Sequence, residues 1–210
     1  MKGTRPLTIA EIQKVARTFE GSKYELRDRS LFLLGISTGG RISELLSLKV
    51  GDVYQNRKPV TDLQFTKHVV KGREHARTVP VNSDGKKAIC DLIQWHRETY
   101  GRVHALRALF PSQKSNSKRL KGAMSRRNAH DILKNAFTKA GLNGKLATHS
   151  MRKSYAQRIY DATGDIFSVK ELLGHQNVNT TQDYLGFNYE KMRNVSEAIS
   201  LENFEKENNG

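Results

Sequence analysis

The side chains best suited to chemistry fall in two stretches of this 210-residue chain. Between Ala147 and Tyr184 stand Thr148-His149-Ser150-Met151-Arg152, then Leu172-Leu173-Gly174-His175, then Thr180-Thr181-Gln182-Asp183-Tyr184. Upstream, Ser37-Thr38-Gly39-Gly40-Arg41-Ile42-Ser43-Glu44-Leu45 places an arginine after a glycine turn. His149 and Arg152 lie three apart at a predicted helix start, so both leave the same face of its first turn. Gly174 is expected to end a helix in the left-handed conformation and let His175 turn back toward that face. Tyr184 follows nine residues after His175.

With Lys71 on a predicted hairpin, two arginines, two histidines, a lysine and a tyrosine suit one reaction, transesterification of a phosphodiester without a metal ion. An arginine is a rigid two-pronged donor that matches two phosphate oxygens, so Arg41 and Arg152 can cradle the non-bridging oxygens of a pentacoordinate phosphorus. Such contacts accelerate the reaction where they tighten as negative charge builds. A tyrosine hydroxyl in solution titrates near ~10 and needs cations or a base to attack at neutral pH. The departing oxygen needs a proton, which a lysine can deliver.

Composition points the same way. Thirty-six Lys+Arg against 21 Asp+Glu give a formal charge of +15 and a pI near 10.0, which favours a polyanionic partner. Cys90 is the only cysteine, so no disulfide forms within the chain, and its neighbours Ala88, Ile89, Leu92 and Ile93 predict a buried, inert thiol. One cysteine and scattered histidines provide no zinc-ligand spacing, and no cofactor is expected. No apolar run approaches membrane-span length, so the cytoplasm, in association with the nucleoid, is the expected location.

The elements that must position these residues read as mainly helical. Thr8-Ile9-Ala10-Glu11 is a capping box, followed by an apolar helix face of Ile9, Ile12, Val15, Ala16 and Phe19. A second helix, about Arg27 to Thr38, is apolar nearly all round and should be buried. Gly39-Gly40 breaks it, and Arg41 opens a third helix with Ile42, Leu45 and Leu46 facing inward. Residues 60 to 82 change period, with Leu63, Phe65, Val69, Val70, Val79 and Val81 forming one small antiparallel sheet around the turn Lys71-Gly72-Arg73-Glu74. Helices resume over about 84–99, 125–140, 149–162 and 168–173, with Ser168 as cap of the last. A short helix over 179–186 and a tail helix around 190–203 complete the chain.

In this order and spacing the segments resemble the tyrosine recombinase (phage integrase) family, whose catalytic domain carries Arg, Lys, His-x-x-Arg, His and Tyr in sequence. The match spans roughly Leu7 to Met192, and Leu-Gly-His with its tyrosine nine residues on is its most specific part. The resemblance implies an α+β catalytic-domain fold, mainly α with a small antiparallel sheet. It implies that Arg41 and Arg152 bind the scissile phosphate, that His175 donates a hydrogen bond to it, and that His149 assists proton transfer at the tyrosine. Tyr184 would form a 3′-phosphotyrosine link, Lys71 would protonate the 5′ oxygen, and Glu44 would orient active-site groups. Gly40 stands where the family often has a bulkier residue, and Met151 where it often has leucine; neither position holds a reacting group. Lys67 has the same strand parity as Lys71; the Lys-Gly step and the following Arg77-Thr78-Val79-Pro80 strand favour Lys71.

Taken singly, each residue has a plainer reading. Arg41 can be a surface arginine, His149 a helix cap, and His175 a charge stabilised at a helix C-terminus. Tyr155, Tyr160 and Tyr189 compete with Tyr184, although Tyr155 and Tyr160 share a helix with Ala156 and Ile159 and suit a core. These readings leave the order of the six unexplained. The polar stretch Ser112 to Arg127 holds Lys114, Lys118, Arg119, Lys121, Arg126 and Arg127, either a solvated face or a strip that tracks a DNA backbone.

The expected organisation is one catalytic domain over 1–204 with a frayed tail over 205–210. Most family members precede it with a helical domain that clamps DNA from the other side. Here that domain is missing, as in a piece of a longer recombinase or in small ones such as the fimbrial-switch invertases of mobile or switching elements. The resemblance further implies double-stranded DNA as partner and a homotetramer on DNA, with the state of the free chain, a monomer or an oligomer, left open. A C-terminal helix over Asn194 to Phe204, with Val195, Ala198, Ile199 and Leu201 on its apolar side, suits docking on a neighbour and packing within the chain equally. Competing functions are type IB topoisomerase-like nicking and rejoining, and a DNA-binding regulator with a relic site.

Overall fold

The computed structural model describes residues 3–66, 76–113, 122–185 and 189–198. It starts as its first residues dictate: in front of α1 (Ile9–Arg17) the Thr8 hydroxyl accepts from the Glu11 N–H at 3.2 Å, and the Glu11 carboxylate accepts from the Thr8 N–H at 2.9 Å. α2 (Glu25–Thr38) is the buried helix its apolar surface predicts, with Leu31, Phe32, Leu34 and Ile36 in the core. It ends at Gly39, whose φ is +61° and where a Cβ would lie 2.5 Å from a Tyr155 ring carbon, so both backbone and packing demand glycine. Arg41 then opens α3 (Ile42–Ser47), followed by α4 (Val50–Val53), a single turn the sequence did not signal.

Among the described residues there are two small antiparallel sheets, where one was expected. β1 (Tyr54–Gln55) and β2 (Lys58–Pro59) flank Asn56 and Arg57, both at positive φ, the conformation a two-residue hairpin turn needs. Strands this short carry no readable alternation. β3 (Asp62–Phe65) and β4 (Arg77–Pro80) pair from Asp62↔Pro80 to Phe65↔Arg77, with Leu63, Phe65, Arg77 and Val79 turned inward. Val69, Val70 and the proposed turn at Lys71, together with Lys67, lie outside the described residues.

α5 (Ser83–Tyr100) buries Ala88, Ile89, Leu92, Ile93 and Trp95. Cys90 is exposed, against expectation: it sits beside this helix's inner stripe, on the side shared with exposed Lys87, Gln94 and Arg97. α6 (Arg126–Lys139) is capped by Ser125, so Arg126 and Arg127 belong to its first turn and not to a loop. α7 (Thr148–Thr163) and α8 (Ile166–Leu173) follow. The cap of α8 is Asp165, not Ser168; the carboxylate accepts from the backbone N–H groups of Phe167 and Ser168 and from the Ser168 hydroxyl. α9 (Val178–Gln182) stops earlier than expected, leaving Tyr184 on the turn after it. α10 (Tyr189–Ala198) falls where the tail helix was expected to begin, with residues 199–203 of that expectation outside the described residues. The tail 205–210 lies outside the described residues.

α2 packs chiefly on α5 and α7, and α7 on α8. This arrangement brings the C-terminal ends of α2 and α8 to one flank of α7. Among the described residues no helix is long and apolar enough to cross a membrane.

Candidate active site

Arg152 stands at the centre. Its side chain leaves α7 inward and is 1 % exposed. One terminal nitrogen donates to the Gly39 carbonyl at 2.6 Å, the other to the Leu173 carbonyl at 2.5 Å, and the latter nitrogen lies 3.2 Å from His175 Nε2. The ends of α2 and α8 thus supply the unsatisfied carbonyls that helix C-termini always have, and the arginine satisfies them. Among the described ion pairs none includes Arg152. Burial, then the fields of Arg41 and Arg77, lowers its guanidinium to about 9, still protonated at neutral pH. A buried cation held by neutral carbonyls beside two other arginines is a place for an anion.

Arg41 caps α3 and is placed by the Gly39-Gly40 break. Its N–H donates to Glu44 Oε2 at 2.6 Å, and one guanidinium nitrogen lies 3.3 Å from Glu44 Oε1. Glu44 is buried against burial's natural preference for the neutral acid; hydrogen bonds and charge from Arg77 outweigh it and keep the carboxyl below its usual range. Arg77 reaches both carboxylate oxygens, at 2.6 and 2.9 Å.

Gly174, at φ +66°, turns the chain after α8 and sends His175 back toward α7 as expected. The His175 ring is nearly buried; its Nδ1 lies 3.0 Å from the Thr181 hydroxyl. Burial, then Arg152, Arg41 and Arg77, lowers it to about 3, so it is neutral at any working pH. Arginine has no acceptor, so the lone pair of the neutral ring faces Arg152 from Nε2 and the Nδ1–H donates to Thr181. The Thr181 hydroxyl can also donate, so an incoming oxygen at Nε2 can reverse the tautomer at little cost.

The ring of Tyr184 meets that of His175 edge-on at 4.9 Å between centroids. Arg152 and Lys153 stand 5.8 and 5.5 Å from the tyrosine ring centroid. Lys153 is buried and donates to the Asp183 carbonyl at 3.0 Å, fixing the turn that presents the tyrosine. His149 lies at the exposed start of α7, within the fields of Arg152, Arg41 and Lys153. These, after partial burial, push it below the usual histidine value and leave it neutral and able to accept a proton. Among the described residues His149 makes no hydrogen bond to Tyr184.

Arg41, Arg152, His175 and Tyr184 therefore meet, with Glu44 behind Arg41 and His149 at the rim. Lys71 and its rival Lys67, and Lys114, Lys118, Arg119 and Lys121 of the basic strip, lie outside the described residues; Arg126 and Arg127 are exposed on α6. Arg77, Lys153 and Thr181 escaped the sequence reading. Arg77 left one sign, an arginine on the inward parity of a strand shared with Val79, which demands a buried partner. A groove of about 610 Å³ lined by Arg77, Thr78, Lys170, Gly174 and His175 opens beside the site. A larger hollow of about 980 Å³, lined by Glu44, Lys49, Asp52, Lys58 and Lys86, holds neither histidine nor the tyrosine. Among the described residues no three His, Cys, Asp or Glu side chains gather to hold a metal ion.

Known proteins carry the same architecture. The chain is 32% identical over 173 residues to tyrosine recombinase XerD of Corynebacterium glutamicum, covering 81% of this chain and 52% of that protein. It is 34% identical over 173 residues to tyrosine recombinase XerC of Xanthomonas campestris pv. campestris, covering 82% of this chain and 48% of that one. The chain thus spans about half the length of these relatives. The crystal structure of XerA recombinase superposes with a TM-score of 0.72 at 21% identity, over 95% of this chain and 67% of that one. That of the XerH site-specific recombinase, a post-cleavage complex with palindromic difH substrate, gives 0.70 at 24% identity, over 95% of this chain and 54% of that one. Residues 5–191 match the phage integrase family, and the chain belongs to it.

Proposed function

We propose that this chain is the catalytic part of a site-specific DNA recombinase that cleaves and rejoins strands through a phosphotyrosine. The observation that carries the reading is the buried, carbonyl-held Arg152 touching His175, whose ring in turn touches Tyr184. In the reaction the Tyr184 oxygen bonds to the scissile phosphorus and its proton passes to His149, which is neutral and exposed. The bond from phosphorus to the 5′ oxygen breaks, and Lys71 protonates that oxygen. Arg41, Arg152 and neutral His175 hold the non-bridging oxygens, and their grip strengthens as charge grows on them. Attack by a 5′ hydroxyl from another strand reverses the steps and leaves a rejoined, exchanged strand.

The formal charge of +15 supports double-stranded DNA as the partner, with the basic strip through Arg126 and Arg127 following the phosphate backbone. Strand exchange between two duplexes calls for four active sites, so a homotetramer on DNA is part of the proposal, as is work at the nucleoid. This chain spans about half the length of the relatives it matches, and a companion domain that clamps DNA from the other side is part of the proposal.

The test is covalent capture in EDTA. The protein is incubated with a pool of nicked suicide duplexes with a randomised core, then run on a denaturing gel. A slow-migrating protein–DNA adduct, enriched in one core sequence, is the expected result. Adducts on every core, with relaxation of any supercoiled plasmid, would instead support type IB topoisomerase-like activity. No adduct on any core, with DNA binding intact, would leave a regulator with a relic site.

A further inference from the structure

Arg77 lies outside the six residues assigned to strand cleavage, yet it touches the supports of several of them. It is the first residue of β4 and points inward. Its fork closes on both oxygens of Glu44, at 2.6 and 2.9 Å, with each side chain 5% exposed. The same two oxygens take the Arg41 N–H at 2.6 Å and face the Arg41 guanidinium at 3.3 Å. On another side, the Arg77 stem lies against the turn that sets His175, since a Cβ on Gly174 would come within 3.1 Å of Arg77 Cδ. Its guanidinium also stacks on the ring of Phe65, its cross-strand partner, at 4.5 Å. The eleven residues between Phe65 and Arg77 include both candidate acid lysines, Lys67 and Lys71.

We infer that Arg77 is a positioning residue for strand cleavage, holding the Glu44 carboxylate behind Arg41 and tying the β3–β4 pair to the His175 turn. The inference rests on the strand-cleavage reading above. A buried carboxylate that loses its forked partner must either draw another cation or take up a proton. Either outcome loosens Arg41: Glu44 draws its guanidinium away from the phosphate, or weakens its charge-assisted hold on the Arg41 N–H. Among the described residues the charged groups acting on Glu44 are Arg77 from β4, Arg41 at the cap of α3 and, at longer range, Arg152 from α7, and Glu44 also lines a hollow with Lys49, Asp52, Lys58 and Lys86.

An ordinary salt bridge would affect folding alone, so the test reads chemistry and pH. Single-turnover cleavage of a suicide duplex is measured from pH 5.5 to 9 for wild type, Arg77→Met, Arg77→Lys and Arg77→Met/Glu44→Gln, with DNA affinity and thermal melts alongside. Arg77→Met is expected to cleave on the order of 10- to 100-fold more slowly at pH 7, as outer-shell supports commonly do when lost, with DNA affinity nearly unchanged. It should also gain a limb in which cleavage falls further as pH drops and Glu44 protonates. The double variant should be slow but free of that limb, and Arg77→Lys should restore part of the rate.

If Arg77→Met cleaves at the wild-type rate with the wild-type pH profile, or slows only in proportion to its unfolded fraction, Arg77 is merely structural. If Arg77→Met does not fold, the double variant decides, because removing both charges of a buried pair is far better tolerated than removing one. Wild-type cleavage by the folded double variant then overturns the inference, and slow cleavage with intact DNA affinity upholds it. Should wild type itself form no adduct on any duplex, the strand-cleavage reading fails and takes this role with it. An adduct from wild type matched by Arg77→Met removes the role alone.

Discussion

Neutral His175 has a measurable consequence for stability. In the folded chain its ring titrates at about 3, and in the unfolded chain near the ordinary histidine value of 6.5. Below pH 6.5 the unfolded chain therefore takes up a proton that the native state refuses. Stability is full above that value and falls as pH drops through it toward 3. One such proton is worth about 2 kcal/mol between pH 8 and pH 5. Solvent reaching the ring from the adjoining groove reduces this to about 1–1.5 kcal/mol. For a chain of this length that is a fall of about 2 to 6 °C in melting temperature.

The assay is a set of thermal melts of wild type and His175→Asn at pH 8 and pH 5. His96 is also buried and neutral, titrating at about 4, and contributes to the acid loss of both proteins, so the difference between them isolates His175. The variant is expected to lose less stability on acidification by about 2 to 6 °C. An equal loss in both would mean that His175 protonates as readily folded as unfolded. The reasoning that makes it a neutral hydrogen-bond donor to phosphate would then be refuted.

Three further expectations follow from the same geometry. Gly39→Ala meets both a positive φ and the Tyr155 ring, so it should cost about 2 kcal/mol or more, read as a lower urea midpoint. Arg152→Lys replaces a fork by a point charge and should slow single-turnover cleavage about 100-fold or more while DNA affinity changes little; a loss under about tenfold would contradict the phosphate-binding role. Thr181→Val keeps shape but strands the buried His175 Nδ1–H, so it should cost about 1–3 kcal/mol of stability and lower cleavage, with Thr181→Ser restoring both.

Much of this site was legible because its parts are local. The glycine break before Arg41, the His-x-x-Arg spacing and the left-handed Gly174 before His175 are each written in a few adjacent residues, and each holds in the structure. What the sequence hid depends on pairs far apart in the chain. Arg77 and Glu44 lie 33 residues apart, and nothing adjacent to either announces the other. Thr181 looks like any polar residue of a short helix until the fold sets it on His175. Cys90 was misplaced because a cysteine next to apolar neighbours looks buried, whereas helical periodicity sets it beside the stripe. The β1–β2 hairpin escaped because two-residue strands have no period.

The central claim is that Tyr184 forms the covalent bond. The most direct measurement digests the protein–DNA adduct from a suicide duplex and locates the DNA-bearing peptide by mass spectrometry, with Tyr184→Phe run in parallel. The expected result is a nucleotide remnant on Tyr184 in wild type and no adduct from the variant, which should still bind DNA. An adduct that persists in Tyr184→Phe, or a remnant on Tyr155, Tyr160 or Tyr189, would contradict the account.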